Sequence, residues 1–150
     1  MVLILVMAAC AAVFAQNVAP EQRRPSAHHR FTAGPAGRAI PTDGALRAGY
    51  DESVSEAGTV VDRYQEWYKS AAQAHKSLEE LTKHASRVIK RGTKKDAKGN
   101  VVGQRVEMAF DSADKASTKV VIAWTDGATV VRLKSQSLEV LRDFESQFYP

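Results

Sequence analysis

Residues 60–81, VVDRYQEWYKSAAQAHKSLEEL, carry the pattern on which the fold reading turns. Apolar side chains fall at Val60, Tyr64, Trp67, Ala71, Ala74, Leu78 and Leu81. The steps alternate between four and three, the spacing that aligns residues along one side of an α-helix. Asp62, Arg63, Glu66, Lys69, Lys76 and Glu80 fall on the opposite side. Upstream, Ser53 and Glu56 have capping-box spacing, so the pattern predicts a long N-terminal helix. Such a seam is compatible with a coiled-coil homodimer through the long helix or with a helix lying across a sheet. Alanine at two central positions makes a weak zipper but lets a helix sit close to a sheet, and the strands that follow favour the sheet.

Those strands are read as two hairpins. Val102, Val106, Met108 and Phe110 alternate within 101–110, and Asp96-Ala97-Lys98-Gly99-Asn100 has turn composition, which predicts a hairpin over 86–110. Its first arm, Ser86–Lys94, also reads as a continuation of the helix to Arg91 with Gly92 as the stop. Lys119–Trp124 and Ala128–Leu133 flank Thr125-Asp126-Gly127, a second hairpin with a two-residue Asp-Gly turn. That register sets Trp124 opposite Thr129 and Ile122 opposite Val131. Val120, Ile122, Trp124, Val131 and Leu133 then share one face, and Lys119, Val121, Ala123, Val130 and Arg132 share the other. Ser137 is the expected N-cap of a terminal helix with an apolar stripe at Leu138, Leu141, Phe144 and Phe148. The sum is an α+β fold: an N-terminal long helix, a four-stranded antiparallel sheet of two hairpins and a C-terminal helix, with both helices on one face. It occupies residues 56–150.

The remaining residues set the context. Met1–Ala15 contain no charged side chain and are too short for a bilayer span of about 20 residues, so the run reads as a signal peptide. Val13 and Ala15 are the small residues before a cut at Gln16, which places the protein in the periplasm or medium. The positive start usual in such a signal is missing, which fits a start assigned too far downstream. The only cysteine, Cys10, falls within that run; lipidation at Cys10 is the alternative, a lipoprotein anchored there. Residues 16–55 hold four of the five prolines and read as a disordered linker.

Two clusters are candidate sites. Lys83, Arg87, Lys90, Arg91, Lys94, Lys95 and Lys98 stand against one acid, Asp96, within sixteen residues, in a chain whose net charge is +4. A basic hairpin attracts polyanions by counterion release, and the expected partners are anionic lipid, glycan or an acidic protein. Nucleic acid is not expected, because no aromatic residue interleaves the charges. Lysines also guard strand edges against pairing, which is the plainer role for them. Tyr64, Trp67, Tyr68, Trp124 and Phe144 are the residues expected to line a pocket for a small hydrophobic ligand, or to fill the core.

Catalytic and metal signals are poor. His28 and His29 are adjacent without further ligands, and His75 and His84 point to nearly opposite sides of a helix. No nucleophile elbow or phosphate-cradling glycine loop occurs, so no cofactor or metal is expected. The leading expectation is an exported, non-catalytic interaction module. A small-ligand binder and an enzyme of unrecognised type are the alternatives.

Overall fold

The computed structural model describes residues 29–150, so the run expected to be a signal peptide, with Cys10 in it, lies outside the described residues. The chain forms β1 (Phe31–Arg38), β2 (Arg47–Ser55), β3 (Val60–Trp67), α1 (Ala71–Lys83), β4 (Arg87–Lys95), β5 (Val101–Asp111), β6 (Thr118–Asp126), β7 (Thr129–Ser135) and α2 (Leu138–Phe148). All seven strands join one antiparallel sheet in the order β1-β2-β3-β7-β6-β5-β4. Among the described residues no helix is long and apolar enough to cross a membrane.

This corrects the expected four-stranded sheet with a long N-terminal helix. The predicted helix over 60–81 is two elements. Val60–Trp67 pairs on both sides, with β2 and with β7, and the chain breaks at Tyr68-Lys69-Ser70. Ser70, not Ser53, is the N-cap, and its hydroxyl accepts from Gln73 N at 3.3 Å. β-branched and aromatic residues at Val60, Val61, Tyr64 and Trp67 suit a strand, and the helical spacing across them was coincidental. Ser55 and Glu56 instead enter the β2–β3 turn, where Gly58 takes a positive φ of 79°. A dimer seam along one long helix is therefore absent: Ala74 and Leu78 are buried in this chain's own core.

Residues 31–55, read as linker, supply the first two strands. Their polarity hid them. β2 is held by its full ladder to β3, by an Arg63–Asp51 ion pair and by Arg47 stacked 4.0 Å from the Trp67 ring centroid. Pro35 lies in β1 at a register shift between Ala33 and Ala36, on the outer edge of the sheet, where no ladder hydrogen bond is required of it.

The second hairpin is offset from expectation by two residues. Asp126 pairs with Thr129, Trp124 with Val131 and Ile122 with Leu133, so the loop is Gly127-Ala128. Gly127 has φ +54° and Ala128 does not have a positive φ, the type II′ pattern rather than I′. An even shift preserves side-chain alternation, so both predicted faces survive. The arm read over Ser86–Lys94 is strand, not helix end, with bounds Arg87–Lys95.

The helices lie on opposite faces, not on one. Ile122, Trp124, Val131 and Leu133 pack with Val140, Leu141 and Phe144 of α2. The alternate residues Val121 and Ala123, with Val106 and Met108, pack under Leu78 of α1. Each buried large side chain contributes about 1.5–3 kcal/mol.

Candidate functional site

α1 covers only part of its sheet face, and two clefts open beside it. In the first, about 430 Å³, the floor is Glu66. Its carboxylate is 1% exposed and accepts from Thr42 N at 3.0 Å and Tyr68 Oη at 3.2 Å, with Arg132 Nη2 at 3.2 Å. The Tyr68 hydroxyl also lies 2.9 Å from Thr42 Oγ1 and 2.7 Å from Ser77 Oγ. The acid is thus spent on tying the 42–44 loop and α1 to the sheet, as a buried charge requires.

The second cleft, about 590 Å³, has a different character. Its floor spans four adjacent strands: Tyr64 on β3, Arg132 and Lys134 on β7, Lys119 and Val121 on β6, and Phe110 on β5. Tyr64 pairs with Arg132, Lys134 with Val121, and Lys119 with Phe110, so all point to the α1 face. Leu81 of α1 forms one wall, and Ser112 and Ser117 of the β5–β6 loop form another. The Arg132 guanidinium lies 5.3 Å from the Tyr64 ring centroid. Burial, then Asp62, raises the Tyr64 phenol above its usual value against the opposing pull of Arg132, so it is neutral and a donor at neutral pH.

The aromatic cluster read from sequence is dispersed. Tyr64 lines the second cleft and Tyr68 the first. Trp124 on β6 and Phe144 on α2 are buried against each other's elements on the other face, and Trp67 lines a small recess there of about 250 Å³. The basic stretch is divided as well. Lys83 pairs with Glu80 at 2.7 Å and Arg91 with Glu79 at 3.2 Å. Lys94 is internal: its ammonium lies 3.3 Å from Glu145 and 5.0 Å from the Trp124 ring centroid. Arg87, Lys90, Lys95 and Lys98 are exposed and form no ion pair among the described residues. His75 and His84 are exposed on α1 and its C-cap, and His84 edges the first cleft. No group of metal-ligating side chains occurs among the described residues.

Sequence reasoning missed Phe110, Lys119, Val121, Arg132 and Lys134 as site residues. The signal was the second hairpin face, which sets cations beside valine and alanine on one side of a sheet. Compared with protein-family models, curated proteins and solved structures, the chain has no match in any of the three.

Proposed function

We propose that the chain is a non-catalytic binding protein whose ligand is a small molecule with an apolar body, seated in the cleft above Tyr64, Val121 and Phe110. The observation that carries this reading is a cleft of about 590 Å³ in which Tyr64, Leu81, Phe110 and Val121 supply apolar surface above four hydrogen-bonded strands. Ligand pockets typically measure about 300–1,000 Å³ and are largely preformed, and the 250 Å³ recess beside Trp67 falls below that range. The 430 Å³ cleft fits by size, but its central polar groups are already bonded to one another.

The neutral dye N-phenyl-1-naphthylamine is expected to bind saturably with a blue-shifted emission. Ser117→Phe fills the cleft from an exposed position whose backbone hydrogen bonds are unaffected, and should weaken binding about tenfold while the thermal transition stays put. Wild-type protein that shows no saturable binding, or a Ser117→Phe variant that binds equally well, would refute this reading.

A second reading rests on four exposed cations of the β4 edge and its turn, Arg87, Lys90, Lys95 and Lys98, which have no ion pair among the described residues. They support a contact with anionic surfaces. Sedimentation with phosphatidylglycerol vesicles should be strong at low salt and lost at about 0.3 M salt, and Lys90→Met with Lys95→Met should weaken it. Absence of sedimentation at low salt removes this reading.

A further inference from the structure

We infer that the ligand of the second cleft is an amphipathic anion: a carboxylate, sulfonate or phosphate on a flat apolar body, its charge held by Lys119, Arg132 and Lys134. The inference rests on the binding reading above and assigns the ligand class. Arg132 and Lys134 are two apart on β7 and point the same way, with Cα atoms about 7 Å apart from the strand rise. Lys119 lies on β6 one ladder step beyond the Val120–Ser135 pair, which makes it the diagonal neighbour of Lys134 at about 7–8 Å. Three cations thus stand within side-chain reach of one point above Val121.

Their partners are too few. All three are half-buried, and neither Lys119 nor Lys134 has an ion pair among the described residues. Arg132 has one carboxylate partner, Glu66, and its Nε is buried without a hydrogen-bond acceptor. The nearby acids are engaged elsewhere. Asp111, the one carboxylate lining the cleft, accepts from Thr118 Oγ1 at 2.8 Å. Asp62, opposite Lys134 on β3, accepts from the Tyr50 hydroxyl at 2.9 Å. An anionic ligand over Val121 supplies the counter-charge that Lys119 and Lys134 lack among the described residues. The walls fix the rest of the molecule: Tyr64 and Phe110 bracket the floor from β3 and β5, and Leu81 closes the α1 side, so the apolar body lies flat between them.

Two probes with the same ring system separate the charge from the apolar body. 1-Anilinonaphthalene-8-sulfonate is N-phenyl-1-naphthylamine with a sulfonate added. At low salt the sulfonate dye should bind about tenfold more tightly than the neutral one, the advantage of one or two charge-assisted contacts. That advantage should shrink to the share of Arg132 in Lys119→Met/Lys134→Met, be lost to a smaller extent in either single variant, and fall with salt, while neutral-dye affinity stays level. Lys90→Met/Lys95→Met on the β4 edge should leave both dyes unchanged. Equal affinities in the wild-type protein, or an advantage that is undiminished in Lys119→Met/Lys134→Met or disappears in the β4 variant, overturns the anion assignment while the cleft stands. Failure of both dyes to bind overturns the cleft with it.

Discussion

Alanine at position 103 is expected to cost about 3 kcal/mol of stability, seen as a lower urea midpoint for Gly103→Ala. A Cβ built on Gly103 falls 1.8 Å from the Thr125 carbonyl oxygen and 2.6 Å from its carbon. Those are backbone atoms of β6, so no rotamer change relieves the overlap. Nor can β5 retreat, because Gly103 is paired with Lys94 of β4 on its other side. The local geometry explains the approach. The β5–β6 ladder ends at Arg105–Trp124, and beyond it Gln104 N donates to the Thr125 hydroxyl at 3.0 Å, which draws the two strands together. Gly92→Ala on β4 is the internal control. Its added Cβ meets nothing within 4 Å, and its backbone φ is not positive. That substitution should stay within about 0.5 kcal/mol of the parent. Equal effects at the two positions would contradict the packing described for Gly103.

The second large effect is expected at Glu107, 2% exposed on the face covered by α2. Its carboxylate receives Arg105 Nη1 at 2.9 Å and Arg142 Nε and Nη2 at 3.1 and 2.6 Å. Arg105 also grips Glu145 of α2 with contacts of 2.6–3.0 Å. Glu107→Ala removes the shared acid and leaves Arg105 half-satisfied, at a cost of about 3 kcal/mol, the low end for a broken buried pair because Arg142 is half exposed. Burial by itself would raise the Glu107 pKa, but hydrogen bonds from Arg142 and Arg105 outweigh it, and the net shift is downward from 4.5. With the folded value depressed, the unfolded state takes up protons first as pH falls. The stabilisation is therefore complete above about pH 4.5 and is lost as pH drops through the folded value. Glu107→Gln should flatten that part of the stability–pH curve. Asp96, Asp114 and Glu80 titrate in the same direction on the surface, so the difference between wild type and variant is the quantity to measure. Parallel curves for the two proteins would exclude the proposed role.

The parts of the fold legible in sequence were those where one local signal met no rival. Ser137 before Leu138–Phe148 predicted α2, and Asp126-Gly127 between alternating apolar runs predicted the β6–β7 hairpin. Its loop fell one residue later on each side than Asp-Gly suggests, yet the two-residue offset left every face intact. Residues 60–81 failed because two periods overlapped: Val60, Tyr64 and Trp67 fit a helical spacing by chance before a real helix began. A cue to the break was present in Ser70-Ala-Ala-Gln73, a capping box within the seam, where Gln73 Oε1 accepts from Lys69 N at 3.2 Å. β1 and β2 were hidden for another reason. Their side chains are mostly polar or small, and their order comes from ladder bonds, β1 to β2 and β2 to β3, which no local pattern encodes. The candidate site shared this fate, since Tyr64, Arg132 and Lys119 meet only once β3 pairs with β7. Lys94 shows the converse: its charge was legible, but its capture depends on Glu145 of α2 and Trp124 of β6, both distant in sequence.

The pairing of β3 with β7 also sets an order of events in time. β3 ends at residue 67 and its partner begins at residue 129, the last strand of the sheet. A chain emerging from the ribosome therefore completes β1–β3 long before anything can cover the free edge of β3. Closing so long a loop is entropically costly before its contacts repay it, so the topology predicts sheet closure to be the slow step of folding. Until then β3 is an open template of unpaired backbone groups, and the nascent chain is most exposed to aggregation in that interval. Asp62, Arg63, Gln65 and Glu66 along β3 thus serve the unfinished protein, by keeping that waiting edge soluble.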